Sequence, residues 1–159
     1  MVRVMATGVF DLLHPGHIHY LTEAKKLGDE LVVVVARAST AERFKHRPIV
    51  SEAQRVEMVA ALKPVDRAIL GNEGDIYEIL ADVRPDVIAL GFDQSHDEAR
   101  IADECRRRGL AGTRVVRLPK FEADLDGTRR IVARVAEYLK LEERLGEIEH
   151  VGQKRAKGS

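Results

Sequence analysis

The segment Glu30-Leu-Val-Val-Val-Val-Ala36 constrains the fold more than any other stretch of this chain. It is nearly unbroken apolar sequence, dominated by β-branched side chains, with no polar alternation. Such a strand has no face to give to water, so both its faces must be covered. That is the condition of a strand inside a parallel sheet flanked by helices on either side. The rest of the chain is punctuated to match. Val2 to Thr7 predicts a short buried strand. Gly16 to about Leu27 predicts a helix with Ile18, Leu21, Ala24 and Leu27 on one stripe, closed by Gly28 as its C′ residue. Arg37 to Val50 has no clean period and reads as a basic loop with a helical turn at Thr40 to Phe44. Ser51 and Gln54 form a capping-box pattern for a helix that stops near Leu62, before Pro64.

The alternation continues. Ala68 to Leu70 is a third strand, Asp75 to Val83 a helix ended before Pro85, and Asp86 to Leu90 a fourth strand. Ser95 or Asp97 caps a charged helix that runs through Arg108 to Gly109. Thr113 to Leu118 is a fifth strand, Pro119 to Gly127 a loop, and Thr128 to about Leu145 a last helix. Gly146 to Ser159 reads as a polar, frayed tail, which leaves residues 1–145 as one domain. Strands and helices in this order predict a doubly wound α/β domain with five parallel strands, Rossmann-like in architecture. Ligands of such sheets bind at the carboxyl ends of the strands, where the strand order reverses.

Composition narrows the function. Lys+Arg and Asp+Glu both number 26, so there is no basic excess to support nucleic-acid binding. The single cysteine, Cys105, excludes an internal disulfide and suits a reducing compartment. No segment has the length and apolarity of a membrane span, and no signal-peptide pattern opens the chain. A cytoplasmic protein is expected.

The chemistry is concentrated in Gly8-Val-Phe-Asp-Leu-Leu-His-Pro-Gly-His17, the joint between the first strand and the first helix. Helix N-termini offer unpaired N–H groups and a positive dipole end, which suit phosphate. His14 and His17 add donors that change charge near neutrality. Gly8 and Gly16 let main chain approach a ligand from both sides. Two other readings stand beside this one. The histidines are zinc ligands lacking the usual third and fourth partners, or they pack and cap the turn. Neither G-x-G-x-x-G nor G-x-x-x-x-G-K-[ST] follows the first strand, which argues against hydride transfer and P-loop hydrolysis.

The pattern Gly8-x-Phe10-Asp11-x-x-His14-x-Gly16-His17 resembles the signature of the small cytidylyltransferase-like nucleotidyltransferases. The likeness runs on through Val32 to Arg37, Arg43-Phe-Lys-His-Arg-Pro48, Gln54-Arg55, Leu62-Lys-Pro-Val-Asp66 and Arg84 to Gln94. Over about residues 1–135 the chain resembles the archaeal FAD synthases in particular. Glycerol-3-phosphate cytidylyltransferase is a more distant relative that shares the first motif. The resemblance implies an enzyme that transfers AMP from ATP to FMN, with Mg²⁺ or another divalent cation, as a homodimer. It implies that His14 and His17 hold the α- and β-phosphates, with Val9, Phe10, Pro15 and Gly16 forming the same turn. Asp11 then supports that turn or a metal ion.

For several residues the resemblance offers a role beside an ordinary one. Lys45 is a phosphate ligand or a solvated loop cation, and Arg55 a phosphate ligand or a helix cation. Asp93 is a nucleotide contact or a helix-approach cap. Phe121 lies against a base or closes the core. The chain departs from the related cytidylyltransferases at Leu118-Pro119-Lys120 and Asp126-Gly127-Thr128-Arg129. Lys120 stands where an arginine is expected, and only Thr128 keeps a hydroxyl at the helix start. A cytidylyltransferase of polyol phosphates and a nucleotide-binding sensor without turnover remain as rivals.

Overall fold

The computed structural model describes residues 1–44, 46–124 and 127–157, with side chains through residue 146. In chain order the elements are β1 (Arg3–Gly8), α1 (Pro15–Lys25), β2 (Glu30–Val35), α2 (Ala38–Phe44), α3 (Glu52–Ala60), β3 (Arg67–Leu70), α4 (Ile79–Val83), β4 (Val87–Leu90), α5 (Glu98–Arg107), β5 (Arg114–Arg117) and α6 (Thr128–Lys157). The strands form one five-stranded sheet in the order β3-β2-β1-β4-β5, and every pairing is parallel.

The apolar run of β2 is buried from Leu31 to Val35, and its side chains divide between two cores. Leu31, Val33 and Val35 pack with Leu21 and Ala24 of α1 and Val59 of α3. Val32 and Val34 pack with Ile79, Leu80 and Val83 of α4 and Ile101 and Cys105 of α5. The period-two alternation of a strand therefore sorts one continuous apolar sequence onto two helix layers. Burial among these residues pushes the Cys105 thiol above its ordinary pKa.

Local signals place most helix ends. The Ser51 hydroxyl accepts from the Gln54 N–H at 3.4 Å, and the Asp97 carboxylate accepts from Ala99 and Arg100 N–H groups, so Asp97 rather than Ser95 is the cap. Four expectations are corrected. Ile18 is exposed, and Tyr20 takes the inward place beside Leu21 and Ala24. Gly28 is not a left-handed C′ residue: the helix stops at Lys25 with Lys26 as its cap. A Cβ at Gly28 would instead lie 2.6 Å from the Val2 carbonyl oxygen, so close main-chain approach excludes a side chain there. The fourth helix starts at Ile79, not Asp75, because the Asp75 carboxylate accepts the Tyr77 N–H at 2.9 Å and holds residues 75–78 as a turn. The last helix passes Gly146 and continues to Lys157. An interior glycine costs a helix only about 1 kcal/mol, and no proline follows it.

Candidate active site

The sheet opens at the end of β1. β1 pairs with β4 from Val4↔Val87 to Ala6↔Ala89, yet stays paired with β2 as far as Gly8↔Val35. This parting lies where the strand order reverses, the place where doubly wound sheets hold ligands. Main-chain groups released by the parting are met by two side chains. The Tyr20 hydroxyl donates to the Ala89 carbonyl at 2.8 Å and accepts from the Thr7 N–H at 3.2 Å. The Gln94 amide donates to the Thr7 carbonyl at 2.7 Å and accepts from the Gly91 N–H at 3.1 Å. Burial raises the Tyr20 phenol well above its ordinary pKa, so the hydroxyl keeps its proton. Sequence reasoning singled out neither residue for a role; the only signal was a tyrosine set among the apolar positions of α1.

The turn after β1 is folded back on itself. Phe10 is buried, 2% exposed, and adopts φ +50°, a left-handed backbone that costs a bulky residue free energy and persists only where its surroundings enforce it. A Cβ at Gly8 would lie 2.8 Å from the Phe10 ring. That ring sits in the first core and has no room to retreat. Gly8→Ala is expected to destabilise the fold by about 1–3 kcal/mol, measured by urea denaturation; unchanged stability would contradict this packing.

Two buried charges lock the turn to its neighbours. The Asp11 carboxylate, 5% exposed, accepts the Ile49 N–H at 2.9 Å and the Val50 N–H at 2.8 Å. Arg55 is fully buried. Its Nε donates to the Val50 carbonyl at 3.1 Å, and one terminal nitrogen donates to the Val9 and Ala36 carbonyls at 2.6 and 2.8 Å. Desolvation pulls its pKa down, while Asp11 and Glu52 push it back. Arg55 thus ties together the ends of β1 and β2 and the start of α3. Helical spacing could not reveal this, because all three acceptors are main-chain atoms and two of them, at Val9 and Ala36, are remote in sequence.

His14 is the N-cap of α1, with extended backbone, and Pro15 occupies the first turn. The His14 carbonyl accepts from the His17 and Ile18 N–H groups at 3.0 and 3.3 Å. The two imidazoles lie face to face, ring centroids 3.7 Å apart with an interplanar angle of 25°. Phe10 packs against His17 at 5.1 Å. The two histidines of the motif are thus brought together on the helix N-terminus, with Val9, Phe10 and Gly16 in the same turn.

The other nominated residues distribute around this corner. Phe121 stacks on His19 of α1, centroids 4.5 Å apart and nearly parallel. Lys120 is exposed and its ammonium lies 2.7 Å from Glu122. Thr128 begins α6. Lys45 and Asp126 lie outside the described residues. Asp93 is exposed, in the loop after β4. That loop is shaped by Arg117, whose guanidinium donates to the carbonyls of Gly91 at 3.0 Å, Gln94 at 2.9 Å and His96 at 2.8 Å. Arg117 is a positioning residue that the sequence reading did not identify.

Burial, and then the Arg117 charge, lower the pKa of His96. The folded state therefore resists protonating it. Above its ordinary value of 6.5 there is no penalty; below it the unfolded chain takes up the proton first and stability falls. Urea denaturation at neutral and at mildly acidic pH should show this loss, and His96→Gln should reduce it; an undiminished loss would contradict the assignment.

A cavity of about 200 Å³ opens on the sheet face that carries α4 and α5. Buried side chains of the second core, among them Val34, Ile79, Ile88 and Leu90, form its floor. Thr40 and Phe44 of α2, Arg37, Tyr77 and Asp93 stand around it, and Gly8 and Val9 join it to the histidine corner. The site therefore has two parts that meet at the main chain of Gly8 and Val9: a donor-rich corner and an apolar cavity.

No group of three or more His, Cys, Asp or Glu among the described residues is arranged to hold a metal ion, and both Asp11 oxygens already accept main-chain N–H groups. The described residues likewise provide no third or fourth ligand for zinc at His14 and His17.

Residues 5–134 match the family model described as cytidylyltransferase-like. The chain is 60% identical over 138 residues to a FAD synthase of Aciduliprofundum boonei, covering 86% of this chain and 92% of that one. It is 53% identical over 141 residues to a FAD synthase of Archaeoglobus profundus, covering 88% and 90%. The fold superposes with a TM-score of 0.73 and 54% identity on a Thermoplasma volcanium structure titled a lipopolysaccharide core biosynthesis protein, over 77% of this chain and 99% of that one. With its signature turn, its parting sheet and these relatives, the chain belongs to the cytidylyltransferase-like family, in the company of the FAD synthases.

Proposed function

We propose that this chain is an FMN adenylyltransferase: it joins the AMP of ATP to FMN, giving FAD and pyrophosphate. The observation that carries the reading is the apolar cavity that opens onto the histidine turn. A flat, largely apolar isoalloxazine ring fills such a space, whereas a small polyol phosphate leaves it empty. The identity to FAD synthases supports the same substrates.

In this reading a phosphate oxygen of FMN attacks the α-phosphorus of ATP. A P–O bond forms there, the bond to the β-phosphate bridging oxygen breaks, and pyrophosphate leaves with that electron pair. The nucleophile is already an anion, so no general base is required. The protein's work is alignment and charge neutralisation. His14 and His17 bind the triphosphate, aided by N–H groups of the Val9–Phe10 turn and by the helix N-terminus formed at Pro15 and Gly16. Asp93 serves the nucleotide from the loop after β4. Lys45, Lys120, Phe121 and Thr128 are further substrate contacts of this proposal. A divalent cation enters as the counter-ion of ATP, not on a protein cage. The reaction is set in the cytoplasm, and the working form is a homodimer. Among the described residues no helix is long and apolar enough to cross a membrane.

Turnover with ATP and FMN, read as pyrophosphate release and FAD fluorescence, tests the reading. Activity only with CTP and glycerol 3-phosphate overturns it in favour of a cytidylyltransferase; nucleotide binding without turnover overturns it in favour of a sensor. The cavity assignment has its own test. Thr40→Trp should raise KM for FMN about tenfold or more while leaving KM for ATP within about twofold. The reverse pattern would put the adenine ring in the cavity.

A further inference from the structure

The cavity that meets the histidine corner carries its charge unevenly. Among the described residues that line it, Arg37 is the only lysine or arginine and Asp93 the only aspartate or glutamate. They belong to opposite sides. Asp93 lies in the loop after β4. Arg37 follows β2 and reaches the other way, its Nε donating at 2.8 Å to the carbonyl of Gly71, the residue just past β3. In the sheet order β3-β2-β1-β4-β5, Gly71 is two strands from the histidine turn at the end of β1, roughly 10 Å at the usual strand spacing. Arg37 is thus placed to meet the far end of a ligand, not its reacting phosphate.

The guanidinium is held but not used up. Its Nη1 donates to Glu52 at 3.3 Å and lies 3.9 Å from Glu73, while no group among the described residues accepts from Nη2. Asn72, next to Gly71, is half-buried on the same wall of the cavity. Its amide nitrogen makes one long bond, 3.4 Å, to Glu78, and its amide oxygen accepts from nothing among the described residues. A donor cation and an amide acceptor therefore stand together at the β3 end of an otherwise apolar space. That pair complements a cyclic imide, in which an N–H lies between two carbonyls. An isoalloxazine has such an imide at one end and a dimethylated benzene ring at the other. The benzene end suits the floor of Val34, Ile79 and Leu80. The reversed ring would lay hydrocarbon on Arg37 and Asn72 and leave their polar atoms unpaired.

We infer that Arg37 and Asn72 read the imide edge of the flavin, Arg37 donating to a ring carbonyl and Asn72 accepting the imide N–H. The pair thereby decides which way round the ring lies in the cavity. The inference rests on FMN being the acceptor substrate.

The test compares FMN with N3-methyl-FMN, which lacks the imide N–H, by pyrophosphate release with ATP. The wild type should favour FMN in kcat/KM by roughly tenfold or more. Asn72→Ala, which removes the acceptor, makes room for the methyl group and breaks only one long bond, should bring that preference within about twofold. Arg37→Met should raise KM for FMN roughly tenfold with KM for ATP within about twofold, and Arg37→Lys should recover part of the loss. Equal use of both flavins by the wild type, or an undiminished preference in Asn72→Ala, overturns this inference and leaves the FMN reading standing. A rise in KM for ATP instead would assign the pair to the adenine and overturn it as well. A wild type that turns over neither flavin overturns the FMN reading, and this inference with it.

Discussion

His17→Ala leaves a folded protein whose rate of pyrophosphate release falls by about 10²–10³-fold, the usual cost of removing one donor that meets developing charge. The fold survives because the His17 ring stacks on His14 and meets Phe10 at a tilt in the turn, and no strand or core helix depends on it. The N–H of residue 17 still reaches the His14 carbonyl, since alanine keeps its main chain and favours helix. The loss should fall on kcat more than on KM for FMN, because the imidazole acts on the triphosphate as the bond to pyrophosphate breaks. Steady-state kinetics beside a thermal melt check this: a full rate with an unchanged melt would remove His17 from the chemistry.

Arg55→Met should have the opposite signature, a loss of about 3–5 kcal/mol of stability, read by urea denaturation. The guanidinium holds three main-chain carbonyls, from Val9, Ala36 and Val50. Methionine fills the volume but leaves those acceptors buried without donors, each costing roughly 1–3 kcal/mol. It also removes the cation that faces the Asp11 carboxylate. Were Arg55 chiefly a phosphate ligand, the variant would be stable and inactive. A melt within about 1 kcal/mol of wild type would therefore contradict the structural role given to it.

Much of the fold could be read from local chemistry. Val32 to Val35 announce a strand without a wet face, Ser51 and Asp97 announce helix starts, and Pro64 and Pro85 mark helix ends. The histidine corner was legible for the same reason: a helix N-terminus, two donors and flanking glycines lie within ten residues of one another. What stayed hidden was set by contacts distant in sequence. The partners of Arg55 come from three elements. Tyr20 and Gln94 matter because β1 and β4 part, and nothing in either side chain reports that. The cavity takes its floor from β2, α4 and β4 together, so no window of the chain contains it. Gly28 looked like a helix stop because glycine serves there so often; its cause is the Val2 carbonyl lying where a Cβ would be.

The central claim is that the triphosphate sits on the stacked imidazoles of His14 and His17. The most direct measurement is an NMR titration of ¹⁵N-histidine-labelled protein with a non-hydrolysable ATP analogue, the ring signals assigned by single histidine variants. Of the six histidines, His14 and His17 should shift together and saturate at the same ligand concentration. Movement confined to His19, His46, His96 or His150, with His14 and His17 silent, would contradict the account.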